Sequence, residues 1–313
     1  MTASPPRIPD LAGARAVARR HGVADAEVAP AAAQGIAGFV YLLGEDLVLK
    51  VARPEPEFAG DLRKEALVIP HARALGVRTP EVVEYAEADD GFDGAPYLVQ
   101  RRAHGRGADG EPGAAAYREL GRELALLHAA PIPDAVRAGV PADTVGDPGP
   151  GIQQLAAQGE LSPGLADWLT GWLAQLAQAA PTDPRPVLIH GDIAAGNLLL
   201  DARTGALSAL LDWGDAAVAD PATEFAKVPP RSLPHVLDGY LDALPGPADG
   251  RQWAARVLWH HLVWAVFRLP TPPEPGWVHW SAQPANRLLE LLRAYAEGLP
   301  EPWAGWMRSQ RLP

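Results

Sequence analysis

"VLIHGDIAAGNLLLD", residues 187–201, sets a His, two carboxylates and an Asn among residues that otherwise read as buried strand. One apolar run ends in His190-Gly191-Asp192 and the next opens at Asn197. The step from Asp192 to Asn197 spans one tight loop whose polar side chains can face a common point. Further on, "ALLDWGD" brings a third apolar run to Asp212. Three strand ends delivering Asp, Asn and Asp to one edge make an oxygen-rich site suited to Mg²⁺, which takes one or two carboxylates plus substrate phosphates. Such a site serves phosphoryl transfer, where the protein aligns the nucleophile, neutralises the phosphates and holds the metal. Asp192 would accept or orient the proton of the acceptor hydroxyl, and Asn197 and Asp212 would ligate the metal.

One more cation is needed against the phosphates, and the composition points to it. Nearly every basic side chain is Arg; only Lys50, Lys64 and Lys227 are lysines. Lys50 lies inside the apolar strand "LVLKVA", where an ammonium can reach phosphate oxygens, and Glu65 in the next helix can pair with it and fix its position. With no cysteine, disulfides, thiolate metal sites and a Cys nucleophile are excluded. A net charge of −11 disfavours nucleic acid and mildly favours cationic ligands. The start lacks the pattern of a signal peptide, and no apolar run is long enough for a membrane span. A soluble cytoplasmic protein with no membrane partner is expected.

The first hundred residues read as mostly sheet: a leading helix over 11–22, a hairpin of strands 36–43 and 47–52, a helix over 57–76 bent or interrupted at Pro70, and strands in "PEVVEYAEA" and "APYLVQRRA". After the Gly-rich link 104–113 the pattern turns helical, at 114–130 and about 161–179, with a Pro-rich, poorly patterned loop over 131–151. Helical, Trp-rich sequence follows Asp212. The expected architecture is α+β and bilobal: residues 1–103 as a small, mostly β lobe and 104–313 as a larger, mainly helical lobe bearing the site.

His190-Gly191-Asp192 followed by Asn197, then Asp212-Trp213-Gly214, resembles the catalytic and metal-binding loops of the aminoglycoside phosphotransferase family, relatives of protein kinases. "LGRELALLHAAPIP" and "ADPATEFAKV" are similar to two further family segments, and the likeness covers roughly 35–228. It implies a protein-kinase-like fold, Mg²⁺, ATP or GTP in the cleft, a small-molecule hydroxyl acceptor and a link to antibiotic resistance. It also implies a linker at Leu98, Val99, Gln100 and Arg101 whose backbone meets the adenine, and phosphate contacts at Gly35 and Gly38. His190 is followed by Gly rather than the Arg usual in protein kinases, and no segment resembles their activation loop, so protein substrates are disfavoured.

Several neighbours take structural readings. His190 is a hydrogen-bonder steadying the loop, His128 a helix-end packing residue, and Asp215 and Asp220 bind backbone groups behind the site. "RVLWHHLVWAVFRL" carries Trp259, His260 and Trp264 at helical spacing, a pattern that serves core packing for most of its length. An aminoglycoside or other amino-bearing compound is the leading acceptor, ahead of a macrolide or a choline, amino-alcohol or sugar substrate. A non-catalytic pseudokinase is opposed by the intact set Lys50, Asp192, Asn197 and Asp212. A metal-dependent hydrolase would need further His and Asp clusters.

Overall fold

Alternating burial along the first strands gives the amino-terminal sheet one face for its core and another for a cleft. The computed structural model describes residues 11–32, 34–108, 110–180, 185–273 and 279–308. Helix α1 (Leu11–Arg20) leads into β1 (Val28–Pro30), β2 (Gly38–Leu43), β3 (Leu47–Ala52), α2 (Pro56–Ala74), β4 (Val82–Ala86) and β5 (Tyr97–Arg101). The strands form one antiparallel sheet in the order β1-β2-β3-β5-β4. Phe39, Tyr41, Leu43, Leu47, Leu49 and Val51 bury on one face with Tyr97, Val99 and the Ala14 and Val17 face of α1. By the two-residue period, Val40, Leu42, Val48 and Lys50 take the opposite face, which lines a cavity. A lysine sits inside an apolar strand because the core does not use that face.

Helix α2 runs through Pro70 and closes beyond it, rather than breaking there. Pro70 stands on the exposed side of the helix, so its ring displaces no packed neighbour.

The second part holds β6 (Arg106–Gly107), α3 (Ala114–Ala129), α4 (Asp134–Gly139), α5 (Gly149–Ala157), α6 (Pro163–Ala179), β7 (Val187–Ile189), β8 (Leu198–Leu200), β9 (Leu207–Leu210), β10 (Ala217–Ala219), α7 (Leu233–Ala243), α8 (Gly250–Arg268) and α9 (Asn286–Glu297). Residues 131–151 are not one patternless loop: they hold α4 and the start of α5, helices too short to display a 3.6-residue period. The three-residue strand β10, unmarked in the sequence, pairs antiparallel with β7. Strands β6, β8 and β9 form a second small sheet. Helices α3 and α7 touch backbone to backbone, since a Cβ on Gly121 would lie 2.1 Å from the Val236 carbonyl oxygen and one on Gly239 2.0 Å from that of Arg118. Helix α3 also packs on β7, the strand that leads to Asp192.

A two-part α+β architecture results, with an antiparallel-sheet amino-terminal region and a helical carboxy-terminal region, as the sequence implied. Among the described residues no helix is long and apolar enough to cross a membrane.

Candidate active site

Lys50 on β3 reaches Glu65 on α2 with Nζ 2.8 Å from Oε1 and 2.7 Å from Oε2. The Glu65 side chain is 4% exposed, and Gln100 Nε2 donates to its Oε2 at 3.4 Å. Burial opposes the charge on Lys50, but the carboxylates of Glu65 and Asp212 outweigh it and hold the ammonium above the ordinary lysine pKa. Asp212, across the cleft from the sheet, therefore belongs to the same electrostatic cluster.

The quoted stretch folds as β7, a tight loop and β8. His190 is fully buried, with its ring against Trp213 at 4.4 Å between centroids. Its Nε2 donates to the Leu211 carbonyl oxygen at 3.0 Å while Nδ1 accepts from the Asp192 amide at 3.2 Å. Those two contacts fix the neutral tautomer and bind the loop to the residue before Asp212. Asn197 Nδ2 donates to both the backbone carbonyl and the carboxylate of Asp192, and the Leu211 amide donates to the Asn197 carbonyl at 2.9 Å. Asp212 itself has φ 66, a left-handed conformation that few non-glycine residues adopt and that re-aims its carboxylate at the end of β9. Gly191 has φ +85, and a Cβ there would meet the Asp215 carbonyl oxygen at 2.1 Å, so the loop requires glycine.

Behind the loop stands a residue the sequence reading passed over. Glu224 is 1% exposed and accepts from the amides of His190 at 2.7 Å and Gly191 at 3.0 Å. His128 lies 3.6 Å from it through Nε2, with Nδ1 at 3.1 Å from the Tyr240 hydroxyl. The available signal was an acid four positions after Asp220 inside an otherwise apolar segment. Asp220 caps the short helical turn 221–227 by accepting from the Ala222 amide, and pairs with Arg256 and His260. Burial would raise its pKa, yet the hydrogen bonds from His260 and Arg256 hold it down at about 2.

Two connected cavities meet at Asn197 and Asp212. One, of about 380 Å³, lies between the sheet face with Val40, Val48 and Lys50 and the opposing Leu199 and Leu211. Gly35 and Gly38 border it, and Gln34 closes their loop by bonding the Ala31 and Val40 carbonyls and the Val40 amide. Leu98 and Val99 do not line this space: they are shut into the two apolar clusters beside the sheet, on a strand paired along both edges. The lining segment is 100–103, slightly beyond the expected linker start. The second cavity, of about 770 Å³, takes in Asp192, Asp215, Lys227, Trp264, Arg268 and Arg287. Lys227 Nζ is 3.1 Å from Asp192 Oδ1. The lysine scarcity that singled out Lys50 applied equally to Lys227. On α8, Val257, Leu258 and Leu262 pack in the core as expected, whereas Trp264 turns to the cleft.

Asn197 and Asp212 line both cavities, and an amide oxygen with a carboxylate makes an oxygen-only donor set that fits Mg²⁺. Among the described residues no cluster of three or more His, Asp or Glu could hold a metal alone. The donor set therefore suits an ion that keeps waters and phosphate oxygens in its shell.

The model of the phosphotransferase enzyme family, APH, matches residues 29–255. Viomycin phosphotransferase of Streptomyces vinaceus is 31% identical over 189 residues, which are 56% of this chain and 63% of that protein, so the match spans under two thirds of that relative's length. Among solved structures, the GDP complex of wild-type aminoglycoside 2'-phosphotransferase-IIIa has a TM-score of 0.62 at 22% identity, covering 87% of this chain and 93% of that one. The apoenzyme of macrolide 2'-phosphotransferase from Brachybacterium faecium has a TM-score of 0.58 at 23% identity, covering 94% and 99%. At such identities the structural likeness is one of fold. The family match, running from β1 into α8 and over Lys50, Asp192, Asn197 and Asp212, makes the chain a member of the phosphotransferase enzyme family.

Proposed function

We propose that this protein transfers the γ-phosphoryl group of ATP or GTP to a hydroxyl of a small molecule, with the lobes dividing near residue 103. The observation that carries the reading is the convergence of Asp192, Asn197 and Asp212 on a cleft that continues to the Lys50–Glu65 pair. In the transfer, the acceptor oxygen forms a bond to the γ-phosphorus as the bond from that phosphorus to the β,γ-bridging oxygen breaks. A nucleoside diphosphate leaves, and the hydroxyl proton passes to the Asp192 carboxylate. Lys50, fixed by Glu65, meets phosphate oxygens; the Gly35–Gly38 loop approaches them through its backbone; Gln100 and Arg101 border the base. Asn197 and Asp212 would hold Mg²⁺, which when bound offsets the phosphate charge. His190 and Asp220 support the loop from behind.

The acceptor in this reading is a hydroxyl-bearing antibiotic carrying amino groups. The relationship to viomycin phosphotransferase and the net charge of −11 both support it. The test is release of ADP or GDP with Mg²⁺ across viomycin, aminoglycosides, macrolides, amino-alcohols and sugars. Acceptor-dependent release that is lost in Asp192→Ala is expected. Nucleotide binding without turnover on any acceptor would favour a non-catalytic role.

A further inference from the structure

One wall of the 770 Å³ cavity is cationic in a way that phosphoryl transfer does not require. Arg287 is 5% exposed, yet among the described residues no carboxylate pairs with it. Its Nη1 donates to the Ala226 carbonyl oxygen at 2.8 Å, and its buried Nε has no partner. Burying an unpaired guanidinium is costly. The position adds to that cost, because Arg287 stands in the first turn of α9, at the positive end of the helix dipole. Two indoles offset part of it: the guanidinium carbon is 4.0 Å from the Trp264 ring centroid and 4.9 Å from that of Trp280. Lys227 Nζ, paired with Asp192, lies 4.6 Å from the same Trp264 centroid, and Arg268, which donates to the Ala282 carbonyl oxygen, lines the same cavity. Burial and the neighbouring Arg268 outweigh the favourable charge of Asp192 and lower the Arg287 pKa to about 10, which leaves it charged at neutral pH.

A desolvated cation that lines a cavity and has no carboxylate in ion-pair contact is a seat for an anion. We propose that Arg287, with Lys227 on the same Trp264 ring, forms an anion-binding subsite that takes a carboxylate or phosphate group carried by the acceptor. That the anion is carried by the acceptor rests on the phosphotransfer reading; the anion site stands on its own geometry. An adjoining cavity of about 430 Å³ shares Asp215, Lys227 and Trp264 and adds Asp143. Its carboxylates suit an amine, so an acceptor with both an amine and an anionic group fits the two cavities together.

The test is calorimetric titration of the full chain with sulfate and, separately, malonate. Mg²⁺ and a saturating non-hydrolysable ATP or GTP analogue are present, so the γ-phosphate position is filled. Saturable binding is expected, weakened about tenfold or more by Arg287→Met. In Asp192→Ala, which removes a nearby negative charge, binding should persist or tighten. Preference for malonate would assign a carboxylate, and preference for sulfate a phosphate group. Absence of saturable binding, equal binding by Arg287→Met, or binding seen with the nucleoside diphosphate and lost with the analogue would each overturn the subsite. If Arg287→Met does not fold, Lys227→Met carries the same test, with severalfold weakening expected and unchanged affinity overturning the proposal. Equal kcat/KM for acceptors with and without an anionic group would overturn the link to the acceptor. Anion binding as expected, with no turnover on any acceptor, would overturn the phosphotransfer reading and leave the anion site standing.

Discussion

Asn197 Nδ2 donates at 2.9 Å to the backbone carbonyl oxygen of Asp192 and at 2.8 Å to its carboxylate Oδ2. One amide thus sets both the path of the loop and the direction of the carboxylate. Asn197→Ala should lower kcat by about 10–100-fold, and Asp192→Ala by about 10²–10⁴-fold, with both proteins folded by circular dichroism. Unchanged turnover in either variant would return that residue to a structural role.

Lys50 and Glu65 form a buried pair, so removing one partner strands the other. Lys50→Met should destabilise the fold by about 3–5 kcal/mol, because the Glu65 carboxylate is left uncompensated. The double variant Lys50→Met/Glu65→Leu should regain most of that stability in urea unfolding. Nucleotide affinity should stay lost in both. Recovery of nucleotide binding in the double variant would show that Lys50 serves only to neutralise Glu65.

Glu224 holds the amides of His190 and Gly191 without reaching the cleft itself. Glu224→Ala leaves two N–H groups unsatisfied, at about 1–3 kcal/mol each, while Glu224→Gln keeps one acceptor and should fall between. A positioning role further requires that kcat drop with little change in KM for nucleotide, and that Gln restore part of it. Loss of stability with full kcat in the folded fraction would make Glu224 structural only.

For Asp220 the sign of the pH effect follows from its depressed pKa. A folded value of about 2 against an ordinary 3.8 means its contribution to stability is full above about pH 4 and is lost as pH falls through 2. The contribution is about 2 kcal/mol. Denaturant unfolding of wild type and Asp220→Asn at pH 7 and at pH 3 should therefore show a gap that narrows in acid. A gap independent of pH would assign the stability to packing instead of charge.

What could be read from the sequence was local. The hairpin around Lys50 lies within two residues of its expected bounds, and α1, α3 and α6 lie where the 3.6-residue pattern placed them. Polar residues at the ends of apolar runs, in 187–201 and at Asp212, marked the cleft because a strand end is a fixed point whose side chains leave the ladder. The expected adenine segment at 98–101 shows the limit: whether Leu98 and Val99 face a core or a cleft depends on strands pairing along both edges of β5, which no local pattern encodes.

By itself, then, the sequence determined the longer helices and the Lys50 hairpin, the order of sheet before helices, and the spacing that singles out Lys50, Asp192, Asn197 and Asp212 as candidates, since each is written along a few turns or strands. Only the tertiary structure decided that Glu224 anchors the loop, that Lys227 pairs with Asp192, and that Trp264 and Arg287 face the cleft. Helix α8 is buried around most of its circumference, so its periodicity carries no stripe to say which side meets the cavity. Its rotation, and with it the chemistry of that cavity wall, is set by packing against elements far away in the chain, the segment 221–227, α6 and α9.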